Sequence, residues 1–185
     1  MGGSIHRAAM PAWSLLVLAV LFSGPILMFE SVFGGGQGAI AALAGVVVGL
    51  VVAWAAAKWR WDLLSIVAAV VASHFLFGGA AALRETTRWG VVPTSRTIQT
   101  LVVGSVEAWK DLLTLTPPAG SYVGPAIVPW MSCLVCSFAA GVVTVRYGRP
   151  MWGSVPLILA GVIAIVWGPS NHSPSSLLVI AWWVG

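Results

Sequence analysis

Apolar positions dominate this chain and fall in long unbroken blocks rather than in alternation. A helix that crosses a bilayer needs about 20 mainly apolar residues. Five blocks approach or meet that length: Ala12 to Phe29, Gly38 to Ala57, Leu63 to Leu83, Ala126 to Val145 and Met151 to Trp167. A sixth begins near Ser176 and runs to Gly185. One further segment, Ser95 to Leu115, has a different pattern. Ile98, Leu101, Val102, Val106, Trp109, Leu112 and Leu113 recur at three- and four-residue steps. Gln99, Glu107, Lys110, Asp111 and Thr114 fall mostly on the other side.

The pattern predicts an all-α fold: a polytopic transmembrane bundle of five full spans and a partial sixth, in one domain over residues 1–185. The amphipathic segment is too polar on one face to span. It is expected to lie in the outer interface, with Trp109 at headgroup level beside Lys110 and Asp111. Packing on the outer mouth of the bundle would use the same pattern. Ser95 after Pro93 reads as its N-cap, and Pro117-Pro118 ends it.

Composition narrows the function classes. Only 8% of the residues are charged and 59% are apolar, against roughly 25% charged in a soluble domain. A soluble enzyme, a disordered tail and a nucleic-acid binder are excluded. The lipid bilayer is the expected partner. The net charge of +4 carries topology: cations mark the cytoplasmic ends of membrane helices. Arg7, Lys58 and Arg60, and Arg146 and Arg149 occupy alternate ends of the runs. Glu30 and the stretch from Gly168 to Ser175 occupy the others, and the mixed segment from Arg84 to Gly124 is the awkward member of that set. This sorting places the N-terminus in the cytoplasm. The first run is too long for the apolar core of a cleaved signal, and Phe29 to Phe33 lacks a small-residue cleavage site. From Ser176 to Gly185 the sixth run would make only about 15 Å of helix, half of the hydrocarbon thickness. The expectation is that the chain is the front piece of a longer protein, the other reading being a short sixth element lying against the bundle.

Candidate chemistry is sparse. Ala41, Gly45, Gly49, Ala53 and Ala57 recur at four-residue spacing in the second run. Small residues on one face allow close helix approach, and an intramolecular packing face is favoured over a dimer interface. His74 is the ionisable group deepest in a span, hence a functional candidate by default. A proton carrier or haem ligand is weighed against a neutral packing histidine satisfied with help from Ser65 or Ser73, and the latter is preferred. Cys133 and Cys136 form a CxxC in mid-span, where little would stabilise a thiolate, and read as small buried residues. No GxSxG, HExxH or GKS/T motif occurs, and Gly34 to Gly36 follows no strand. No catalytic residue, cofactor or metal is expected.

The stretch Trp109 to Gly120 (WKDLLTLTPPAG) resembles the N-terminal membrane domain of bacterial transglutaminase-like proteins of the TgpA type. The layout around it is also similar: about three apolar helices, a Pro93-Thr94 start, the amphipathic segment, then further helices. The resemblance implies a membrane anchor in the bacterial cytoplasmic membrane for a cell-envelope enzyme. Its Cys-His-Asp domain would lie downstream, outside the cell and outside these residues. Neither cysteine here has a comparable setting. Six spans from a cytoplasmic start return the chain inside, so such a domain would require one more span after Gly185 or a span count that differs by one. A small transporter or channel subunit and a membrane redox protein are the competing expectations.

Overall fold

The computed structural model describes residues 5–33, 36–90, 92–114 and 124–166. Helices form in chain order as α1 (Ile5–Leu21), α2 (Ser23–Phe33), α3 (Gln37–Lys58), α4 (Leu63–Ala82), α5 (Ser95–Thr114), α6 (Ile127–Gly141) and α7 (Pro150–Val166). A 3₁₀ turn occupies Arg84–Thr86, and α6 continues as a π-helical turn over Val142–Arg146. Among the described residues there is no strand, only an isolated antiparallel bridge between Arg88 and Val92.

Among the described residues, four stretches are long and apolar enough to cross a membrane: Ala12–Phe33, Gln37–Lys58, Leu63–Ala82 and Ile127–Arg146. The fifth expected span, α7, is a shorter apolar helix of 17 residues. The sixth run lies outside the described residues.

The first span differs from its expected form in two ways. It breaks at Phe22, because Pro25 has no N–H for the Leu21 carbonyl and its ring crowds that group. It then continues past Glu30 to Phe33. Glu30 ends nothing, because its carboxylate turns back to accept from the Gly36 amide at 2.6 Å and the Ala39 amide at 3.0 Å. Those are two of the unpaired donors that open α3. A charge that reads as a loop residue is thus a cap supplied by the preceding helix.

The most extensive helix contact joins α3 to α6. Gly45 faces Trp130, Cys133 and Leu134, Gly49 faces Leu134, Ser137 and Phe138, and Gly141 faces Ala53. Positions advance together along both chains, so the helices run parallel. A Cβ at Gly45 would lie 2.5 Å from the Trp130 carbonyl oxygen, and one at Gly49 2.6 Å from that of Leu134. No side chain fits there. The backbones meet because these positions carry none. Gly45, Gly49 and Ala53 are buried along this seam, Ala41 is buried one turn earlier on α3, and Ala57 is half-buried. Phe22, Phe29, Phe33 and Trp130 fill the rest of the core and are fully buried.

The chain reverses between α3 and α4 through a tight C-terminal motif. The Trp59 amide closes the last helical bond, to the Ala55 carbonyl, and the Trp61 amide donates to Ala56, the 6→1 bond of a Schellman motif. The residue between them is Arg60, held at φ 52°. A side chain in that left-handed region costs roughly 1–2 kcal/mol. Between α6 and α7, Gly148 takes the same role at φ 64° and Pro150 opens α7, where its missing N–H costs nothing. The guanidinium of Arg146 donates to the Trp61 carbonyl at 2.7 Å, so both reversals lie at one end of the bundle.

The start of α5 corrects the expected N-cap by one residue. Thr94, not Ser95, caps the helix: its hydroxyl accepts from the Thr97 amide at 3.2 Å, which leaves Ser95 as the first helical residue. Both Thr94 and Thr97 also donate to the Thr86 carbonyl, at 2.9 and 2.7 Å, tying α5 to the turn after α4. The helix does not stand clear of the bundle. Thr97, Leu101, Gly104 and Ala108 are buried, and α5 packs on α4 and α6. Ile98, Val102 and Val106 make a second, exposed apolar stripe. Trp109 is half-buried and Lys110 exposed, whereas the Asp111 side chain lies outside the description.

The seam predicts a graded response. Gly45→Leu should lower unfolding stability by at least about 2 kcal/mol in detergent, since neighbouring backbone must move. Gly161→Ala, whose Cβ would meet nothing within 4 Å, should instead stabilise by about 0.5–1 kcal/mol. Denaturant titration followed by circular dichroism reads both.

Candidate functional site: a polar chain joining three helices

α4 carries His74 on its buried face. An imidazole in hydrocarbon needs a partner for each nitrogen. Neither Ser65 nor Ser73 supplies one. Ser65 lies two turns away and donates to Asp62 instead. The partners come from other helices. The indole N–H of Trp130 on α6 donates to His74 Nδ1 at 3.1 Å. His74 Nε2 lies 3.1 Å from the hydroxyl of Ser105 on α5, and that hydroxyl donates to the Leu101 carbonyl at 2.6 Å.

The donors fix the protonation pattern. An indole nitrogen only donates, so Nδ1 carries a lone pair. The neutral ring then has its hydrogen on Nε2 and donates it to Ser105 Oγ. The sequence of bonds runs Trp130 to His74 to Ser105 to Leu101, with every step satisfied. A second proton at Nδ1 would face the Trp130 N–H. The Phe75 ring stands edge-on to the imidazole, 5.1 Å between centroids. Gly78 makes room for the indole: a Cβ there would lie 3.0 Å from Trp130 Nε1.

Chemically, this arrangement locks α4, α5 and α6 to one another. Both nitrogens of His74 are engaged, so neither is open to a metal or a haem iron. Among the described residues no group of three His, Cys, Asp or Glu could hold a metal ion. His172 and the His6 side chain lie outside the description. Cys133 and Cys136 are free and buried, with the Cys133 Cβ against Gly45. Of the packing candidates, Gly45, Gly49 and Ala53 lie on the α3–α6 seam and Ala41 is buried on α3; the seam shares Trp130 with the His74 chain.

Sequence reasoning missed Trp130 and Ser105. Trp130 sits in an apolar run and Ser105 on an amphipathic helix, 56 and 31 residues from His74. A usable signal existed in α5. Ser105 lies between Leu101 and Ala108 on the helix's inward side, where a polar residue demands a partner.

Removing the Trp130 N–H while keeping an aromatic body, as in Trp130→Phe, should destabilise by about 0.6–1.7 kcal/mol, the range for hydrogen bonds between membrane helices. A double-mutant cycle of His74→Ala with Trp130→Phe should return a coupling of the same size. Additive effects would show the bond contributes nothing. Compared with known proteins, the chain matches no family model, no curated protein and no solved structure.

Proposed function

We propose that this chain is a membrane-anchoring and assembly domain, itself non-catalytic, of a transglutaminase-like cell-envelope protein in the bacterial cytoplasmic membrane. The observation that carries the non-catalytic part is the use of His74. The most deeply embedded titratable ring forms helix-to-helix bonds through both nitrogens and keeps no lone pair for chemistry. The envelope assignment rests on the Trp109 to Gly120 stretch and its surrounding layout.

The orientation belongs to the same proposal: N-terminus in the cytoplasm, with Lys58, Arg60, Arg146 and Arg149 at the inner face. The Arg146–Trp61 bond supports it, since two basic loops that the positive-inside rule assigns to one side do share one end. Arg84, Arg88 and the start of α5 then face outward.

Two measurements test the proposal. In a background with Cys133 and Cys136 replaced by alanine, Arg88→Cys should react with an impermeant maleimide in intact cells. Arg149→Cys should react only after permeabilisation. The reverse pattern inverts the topology. Reading the coding frame beyond codon 185 should reveal further apolar helices and then a Cys-His-Asp domain, and a frame without that domain removes the envelope-enzyme assignment.

A further inference from the structure

At the end of the bundle where α3 turns into α4 and α6 into α7, cations and indole rings converge. The two connecting segments, Trp54 to Leu63 and Arg146 to Trp152, contain Lys58, Arg60, Arg146 and Arg149 against the single carboxylate of Asp62. The Ser65 hydroxyl holds that carboxyl below its usual range, so it stays anionic and already partnered at neutral pH. All four cations are exposed. Around them Trp59 stacks on Trp61 with centroids 5.7 Å apart, and Trp54 meets Trp59 edge-on at 6.4 Å. Lys58 Nζ sits 4.7 Å over the Trp54 ring.

The patch is built rather than incidental. Arg146 is fixed on the Trp61 carbonyl, which draws the second basic loop onto the first. Arg60 is held in the left-handed conformation that the Schellman turn requires, where glycine would fold with less strain. A charged side chain kept at a strained position points to a use for the charge.

We infer that this end binds the headgroup of an anionic phospholipid, with the phosphate among Arg60, Arg146 and Arg149 and the exposed indoles at the acyl–headgroup boundary. Charge complementarity selects the class: guanidinium groups suit phosphate oxygens, and indole rings favour the interface depth at which a lipid phosphate lies. A soluble phosphate offers the charge without the chains that the rings would contact. The inference requires only that the bundle sits in a membrane, and it is independent of the envelope-enzyme reading.

Native mass spectrometry of the full chain, released from micelles holding equal phosphatidylglycerol and phosphatidylcholine of matched chains, tests it. Phosphatidylglycerol adducts should predominate. Each removed cation should lower the preference roughly fivefold, so Arg60→Gln with Arg149→Gln, which leaves the Arg146–Trp61 bond intact, should lower it about 25-fold. Arg84→Gln with Arg88→Gln, in the chain reversal at the opposite end, should leave it unchanged. Arg60→Gly separates binding from folding: the unfolding temperature should rise while the preference falls. No preference in the native chain, an equal loss from the Arg84 and Arg88 pair, or full displacement of the lipid by millimolar glycerol phosphate would overturn the inference.

Discussion

The bundle depends on the contact of two parallel backbones. Helices α3 and α6 meet where Gly45 and Gly49 present no side chain, so that a carbonyl of α6 occupies the space a Cβ would need. In lipid, burying apolar area gives helices little reason to associate, because acyl chains are as apolar as leucine. Close packing and interhelical hydrogen bonds do the work instead. The glycine seam supplies the first. The buried hydroxyl of Ser137, within 3.4 Å of the Gly45 and Val46 carbonyls, adds a polar contact across the same seam.

The other elements attach to that pair. Trp130 belongs to both systems: its carbonyl abuts Gly45 and its indole N–H bonds His74. Through His74 and Ser105 the same residue anchors α4 and α5. Glu30 fastens α2 to the start of α3, and Arg146 fastens the far end of α6 to the turn after α3. Glu30, His74, Ser105, Ser137 and Arg146 thus each join one helix or turn to another. Of the few charged residues, Glu30 and Arg146 serve as clasps between segments.

Local physics was legible from the residues. The second and third runs match α3 and α4 to within one residue at each end, because long apolar blocks bounded by charges leave little room for error. The amphipathic period of α5 was equally plain. What escaped was non-local. Nothing near His74 in sequence names Trp130 as its donor, and nothing near Glu30 announces that its carboxylate caps the next helix. The π-helical turn at Val142–Arg146 adds a residue to one turn without disturbing hydropathy, so no pattern betrays it. For α5, periodicity gave a single apolar face from Ile98 to Leu113, whereas the structure splits it, burying Leu101 and leaving Ile98, Val102 and Val106 exposed. The inward stripe is Thr97, Leu101, Gly104 and Ala108, small or aliphatic residues that admit a close neighbour.

Amide hydrogen exchange of the chain in detergent micelles tests most directly whether the glycine seam organises the fold. Exchange reports local opening, and the most stable unit opens last. The amides of α3 from Gly45 to Ala53 and of α6 from Leu134 to Gly141 should be the slowest and should open together. Exchange there as fast as in α7 from Val155 to Val166 would contradict the account, and the bundle would have to be held by something other than the seam.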